Sequence, residues 1–431
     1  MMLTLFLATF AVLFLLGMPI SVAMITSSLV YIMIKGMDLG FMAMQMFSGL
    51  DNFVLIAIPM FILTAEVMNR TSVADRIFNF CNALVGYIPG GLGHVNIATS
   101  VVFAGMSGSA VADVGGIGHL SYLAMVDEGF DKEFSASVTI SSSTVGPIIP
   151  PSIPMVVYAM VANVSVGKMF FGGIVPGLII AGVLMVYVYL VSLRRNYPRK
   201  KLDSARFFLR NLLETFLQGF LPLLTPVILL GSIYFGIVTT TEASAVAVLY
   251  ALILGFFLYR VMDLRGFIES LKRVFITCGS ILLVLPAAKV FSFVMTAERL
   301  QDIIYYGMTS FAGGNKILII LSVNLLFLVL GMLSDPTVNI MLFVPMVLPL
   351  VAASGMDPIH FGVVVVVNAM IGNTTPPVGV VLMTVCAVEK LNFEKTLKEL
   401  WPQIGMLIIA LALIIIFPKS VTAIPNALFG R

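Results

Sequence analysis

Charge is what this chain has least of. Asp, Glu, Lys and Arg together supply 10% of its 431 residues, while hydrophobic types supply 60%. That leaves too little polar surface to cover a water-soluble globule, so a soluble enzyme or binding module is excluded and the chain reads as a polytopic membrane protein. A net charge of only +3 gives no basis for holding nucleic acid. Metal-ligating and redox residues are equally sparse. Cys81, Cys278 and Cys386 lie in or near apolar segments without CxxC spacing, and each reads as a small buried hydrophobe. His94, His119 and His360 share no metal-ligand spacing, which favours structural roles. Gly167-Lys168 lacks both the earlier glycine and the following Ser or Thr of a Walker A site, so any transport is not powered by an ATPase of this chain. From Met1 to Ile34 no Lys or Arg precedes the apolar core. That core outruns a signal peptide's, and the segment is expected to be a retained transmembrane helix.

What the chain does have is an internal repeat. The run Gly105-Met106-Ser107-Gly108-Ser109 is followed by Val145-Gly146-Pro147-Ile148-Ile149-Pro150-Pro151. Gly331-Met332-Leu333-Ser334-Asp335 is followed in the same way by Ile371-Gly372-Asn373-Thr374-Thr375-Pro376-Pro377. The offset is 331 − 105 = 226 residues, and the Pro-Pro pairs keep step with it. Looser echoes join Met37-Asp38-Leu39 to Met262-Asp263-Leu264, Pro59 to Pro286, and Pro176 to Pro402. The chain is two copies of one membrane unit.

Long apolar stretches at roughly 3 to 34, 52 to 68, 75 to 93, 169 to 193, 217 to 238, 243 to 260, 275 to 297, 316 to 331 and 403 to 417 predict helices that span or nearly span a bilayer. Four segments between them are interrupted. Two, at about 95–125 and 317–353, break at Ser107-Gly108-Ser109 and Ser334-Asp335-Pro336 and read as re-entrant hairpins. Two more, at about 134–158 and 361–388, break at the Pro-Pro segments and read as discontinuous helices. A helix broken at membrane depth strands backbone N–H and C=O groups at a cost of several kcal/mol each, so mirrored breaks mark a lined site. The domain reading is a first membrane repeat at 1–193, a basic connector at 194–216, and a second repeat at 217–431. An odd number of crossings per repeat would invert the second copy. The connector's Arg194, Arg195, Arg199, Lys200, Lys201, Arg206 and Arg210 place it in the cytoplasm. Its Phe207, Phe208, Leu212 and Phe216, interleaved with charges, predict a surface amphipathic helix.

Asp335 is the sharpest single residue, because a carboxylate near mid-membrane costs about 2.5 kcal/mol or more and so has a partner or a function. Around it the breaks offer neutral oxygens: Ser107, Ser109 and Ser143 in one half, Thr337, Asn373, Thr374 and Thr375 in the other, with carbonyls freed at Gly146 and Gly372. That set suits sodium better than zinc or copper. The bland alternative is that these groups only join helices. Asp113, at the repeat position of Asn339, either supports the first tip or touches an ion, and the sequence leaves both open. Glu242 follows Thr239 at capping-box spacing. For Lys289, an ion pair or snorkelling is expected rather than substrate contact. Gly105-Met106-Ser107-Gly108 also fits the short G-x-S-G signature of intramembrane serine proteases, a weak match that needs His119 or His360 beside Ser107 and gives no reason for a mirrored copy.

Taken together, the two tips, the two Pro-Pro segments and Gly167-Lys168-Met169-Phe170 followed by Pro176-Gly177 resemble the large membrane subunit of tripartite ATP-independent periplasmic (TRAP) transporters. The resemblance covers nearly the whole chain. It implies an all-α fold similar to the divalent anion/sodium symporters, with inverted repeats and a transport domain that moves as an elevator. It implies residence in the bacterial inner membrane, a small four-helix membrane subunit as partner, and a periplasmic substrate-binding protein, both separate polypeptides. The cargo it implies is an organic acid, of the sialic acid or C4-dicarboxylate type, with overall resemblance pointing to sialic acid. Sodium ions would be carried with it, one at Ser107, Ser109 and the Ser143–Gly146 break, the mirrored one at Asp335, Thr337 and the Gly372, Asn373 and Thr375 break. Substrate would lie near Pro150, Ser152, Thr374 and Pro376. A stand-alone sodium/anion symporter of the same architecture is the nearest alternative.

Overall fold

The computed structural model describes residues 2–200, 204–313 and 315–430, and among them every regular element is helical. Eight of these helices are long and apolar enough to cross a membrane. Their starts are written locally. Ser152, Ser165, Ser204, Asp263, Asp335, Asp357 and Asn392 each sit at an N-cap and accept a hydrogen bond from a backbone N–H of the first turn, satisfying donors that the helix itself leaves free. Thr239 and Glu242 form the expected capping box, with the Glu242 amide 3.3 Å from Thr239 Oγ1 and the Thr239 amide 2.7 Å from Glu242 Oε2.

The first interrupted segment is the helix Gly91–Ser107, a turn at Gly108, and a second arm over 110–127 that carries a π-helical turn at Val114–Gly118. Its counterpart is Lys316–Leu333, a turn at Ser334-Asp335, and Pro336–Ser354. The discontinuous helices are Lys132–Ser143 with Ile153–Ala162, and Pro358–Thr374 with Val380–Val388. These broken elements form the core. Every residue from Ile359 to Thr374 is buried, so this helix is enclosed by protein on all sides. Exposed large apolar residues sit instead on helices such as Val166–Arg195 and Ala205–Tyr234, and, among the broken elements, on the outer face of Lys316–Leu333.

Three expectations change. The apolar run from 3 to 34 is two helices, Met2–Leu15 and Ile20–Ile34, because Gly17 adopts φ +83° and Pro19 cannot continue the first helix. The run at 75–93 ends at Val85, where Gly86 and Pro89 precede a fresh start at Gly91. The connector holds no separate amphipathic helix: Ala205–Tyr234 is continuous, capped by Ser204. Lys201 of the basic connector lies outside the described residues. The repeat is also not uniform. Leu39–Ser48 and Phe53–Arg70 are separated by a short link, while their counterpart Leu264–Ala297 runs unbroken through Pro286.

Candidate ion and substrate site

Gly108 ends the first arm with φ +64°, and a Cβ built there would stand 2.6 Å from the Pro151 carbonyl oxygen. Glycine therefore serves both the turn and the close approach of the tip to the Pro-Pro break. Ser107 Oγ donates to Asp113 Oδ1 at 2.6 Å, with both residues buried. The other oxygen, Asp113 Oδ2, is buried and accepts no hydrogen bond. It lies against the break, for a Cβ on Gly146 would stand 2.7 Å from it. Ser143 Oγ donates to the Ile140 carbonyl at 2.8 Å, and the Ser143 carbonyl accepts from the Gly146 amide at 3.1 Å. Ser109, half-buried at the next N-cap position, makes no side-chain cap bond. A buried carboxylate oxygen with no donor, beside a hydroxyl and a helix break, is chemistry that a hard cation would suit.

The second tip repeats the plan with different chemistry. Ser334 Oγ donates to Asn339 Oδ1 at 2.5 Å, and Asn339 Nδ2 returns a bond to the Ser334 carbonyl at 3.3 Å. Asp335 accepts from the Thr337 amide at 2.8 Å. Its carboxylate is exposed, lining a cavity of about 460 Å³ with Ile20, Ser280 and Val284. Of the two tip carboxylates, the buried one is Asp113. Gly331 and Gly372 bring the second tip and second break into backbone contact, and the Val378 amide donates to the Met332 carbonyl at 3.2 Å. Asn373 Oδ1 is buried without a partner, whereas Thr375 Oγ1 is bonded to the Ile371 carbonyl at 2.7 Å.

The two tips meet across a small cavity of about 60 Å³ that includes Ser109, Pro147, Asp335, Thr337 and Asn373. Of the sodium candidates, Ser109, Asp335, Thr337 and Asn373 thus share it, while Ser107, Ser143, Gly146, Gly372 and Thr375 do not line it. Pro150, Ser152, Thr374 and Pro376 do not line it. Ser152 is buried, bonded to the Pro147 carbonyl and capping its helix, and Thr374 Oγ1 donates to the Ile371 carbonyl at 2.8 Å. No group of three or more His, Cys, Asp or Glu forms a metal cluster among the described residues. Ser107 has no histidine partner: His119 Nδ1 pairs with Glu389 at 2.6 Å and His360 Nε2 contacts the Ile414 carbonyl at 2.9 Å. The protease alternative loses its dyad. Sequence reasoning passed over Arg70 and Arg273, which line a further cavity beside the first tip; nothing in their local sequence points there.

Comparison with known proteins agrees with this architecture. Residues 7–420 match the family model described as tripartite ATP-independent periplasmic transporter, DctM component. The chain is 39% identical over 416 residues to the sialic acid TRAP transporter large permease protein SiaM of Vibrio cholerae, covering 96% of each chain. It is 34% identical over 436 residues to the C4-dicarboxylate TRAP transporter large permease protein DctM of the same organism, covering 96% of this chain and 95% of that one. The fold is similar to that of the Alcanivorax borkumensis YdaH transporter, with a TM-score of 0.54 at 14% identity, over 88% of this chain and 87% of that one.

Proposed function

Because the chain belongs to the DctM component family of tripartite ATP-independent periplasmic transporters, it is a transporter permease rather than an enzyme, and we propose that it carries an organic acid inward with sodium. The observation that carries the sodium reading is the unpartnered Asp113 Oδ2 at the junction of tip and break. A buried anionic oxygen is costly alone and favourable with a cation beside it. The paired tips are the moving part: hairpins and broken helices travel together against the surrounding helices as an elevator, in the inner membrane. A small membrane subunit and a periplasmic binding protein complete the system. Sialic acid is the preferred cargo, since the SiaM relative is the more similar of the two permeases at 39% against 34%.

The driving force suffices. Two sodium ions entering down a tenfold gradient contribute about 1.4 kcal/mol each, and one net charge crossing 100 mV adds about 2.3 kcal/mol. The sum, roughly 5 kcal/mol, sustains a gradient of several thousandfold for a monoanion. A dianion cancels the electrical part.

The test is uptake of labelled sialic acid and succinate into proteoliposomes holding this chain and its small partner. Uptake is expected to need both the cognate binding protein and an inward sodium gradient. Sodium alone sufficing would make the chain a stand-alone symporter, and uptake indifferent to sodium would end the coupling proposal. Within the same assay Asp335→Asn is expected to shift sodium activation only a few-fold, because Asp335 is exposed in its cavity and not enclosed against the break as Asp113 is. An unchanged activation curve would remove Asp335 from the ion site.

A further inference from the structure

Two cavities flank the tips, and they are images of one another under the repeat. One, of about 370 Å³, is lined by Ile62, Glu66, Gly115 and Thr277 among others. Shifting those positions by 226 gives Ala288, Ser292, Met341 and Asp51, all of which line the other, of about 330 Å³. Each holds basic side chains between the surrounding helices and a hairpin. The first has Arg70 and Arg273, and the run of Arg265, Lys272 and Arg273 on one helix marks that side as cytoplasmic. The second, on the periplasmic side, has Lys289.

The images differ in two respects. The cytoplasmic cavity reaches the first tip itself, at Ser107 and Ser109. The periplasmic one touches the second hairpin only at Met341 and Pro345, six and ten residues past Asp335, or about 9 and 15 Å along a helix. The first tip is therefore open to the cytoplasmic cavity, while the second tip does not line the periplasmic one. The cations differ as well. Arg70 and Arg273 lie 3.4 and 3.5 Å from Glu66. Lys289 is exposed to its cavity between buried Ala288 and Val290, and none of the ion pairs among the described residues includes it. It stands eight residues before the helix end at Ala297, about 12 Å from that end, where a cation held in no ion pair is costly; Asp51 lines the same cavity but does not pair with it.

We propose that Lys289 is the receiving cation of a periplasmic site that holds the carboxylate of the incoming organic acid before the second tip takes it. The proposal rests on the organic-acid reading above. Ser48, Asn52 and Ser292 supply neutral hydrogen-bonding groups to the same cavity, suited to a hydroxyl-rich body. Asp51 also lines the cavity and repels a second carboxylate, so the site favours a monocarboxylate over a dicarboxylate.

The experiment uses the complete complex in proteoliposomes, with labelled N-acetylneuraminic acid and succinate as probes. Lys289→Gln is expected to raise the external half-saturation about tenfold, with the maximal rate and the internal half-saturation in counterflow unchanged, and Lys289→Arg to restore it. Acetylation of Lys289 by a membrane-impermeant reagent, followed by mass spectrometry, is expected to slow when acid is present and the other lysines serve as controls. Wild-type transport with an unshifted Lys289→Gln variant overturns this site alone, as does an equal shift on both faces. A wild-type complex that carries neither acid overturns the functional reading and the site with it.

Discussion

Asp113→Asn is expected to abolish sodium-driven uptake at ordinary sodium concentrations while leaving the protein folded. The substitution keeps the shape of the side chain and an oxygen to accept from Ser107 Oγ, which now stands 2.6 Å from Asp113 Oδ1. It removes the charge from an oxygen that is buried and bonded to nothing else. Losing one partner of a buried charge pair costs about 2 to 3 kcal/mol or more, which is roughly two orders of magnitude in sodium affinity. Sodium titration of uptake and of sodium-induced thermal stabilisation would both read it. The second measurement matters because it separates lost binding from a stalled movement. Stabilisation by sodium that survives in the variant would show that Asp113 serves the tip and not the ion.

That weight now falls on Asp113 rather than Asp335 shows where sequence reading stops. The spacing of glycines and prolines announced both tips and both breaks, because a left-handed turn or a missing N–H is a local property. The Thr239–Glu242 box was legible for the same reason. Which carboxylate faces the break is not local. It depends on how the arm over 110–127 rolls against Lys132–Ser143, and that puts Asp113 beside Gly146. Asp335, at the mirrored tip, points into a cavity shaped by Ile20 and Ser280, far away in sequence. The same limit hid Lys289: a lysine inside an apolar helix is visible, but its cavity is built by residues 48–52 of the other repeat. Ser152 and Thr374 carried hydroxyls at suggestive places, yet backbone carbonyls within their own segments claim them. Continuity misled in both directions. The run from 3 to 34 breaks at Gly17 and Pro19, while Leu264–Ala297 continues through Pro286.

Gly372→Ala is the second large effect, and it acts on the architecture that the ion chemistry depends on. A Cβ at Gly372 would stand 2.6 Å from the Gly331 Cα and 2.8 Å from the Leu328 carbonyl oxygen. These are backbone atoms of the hairpin arm Lys316–Leu333, and they cannot swing aside as a flexible side chain does. A Cβ built on Gly331 would in turn stand 3.0 Å from the Gly372 Cα. Ordinary carbon contacts need about 3.5 Å or more, so the arm and the broken helix must part by nearly an ångström. Overpacking of this kind costs about 1 to 3 kcal/mol. The next residue is Asn373, whose buried Oδ1 faces the site unpaired, so the same displacement moves a candidate ligand. Gly372→Ala is therefore expected to lower the unfolding temperature by several degrees and to reduce uptake at least tenfold. Gly405→Ala is the control. It lies in the helix Phe393–Ile416 with nothing within 4 Å of its Cβ, and alanine there is expected to be neutral or slightly stabilising. Equal unfolding temperatures and uptake for the two variants would mean that the second tip and break do not touch through their glycines.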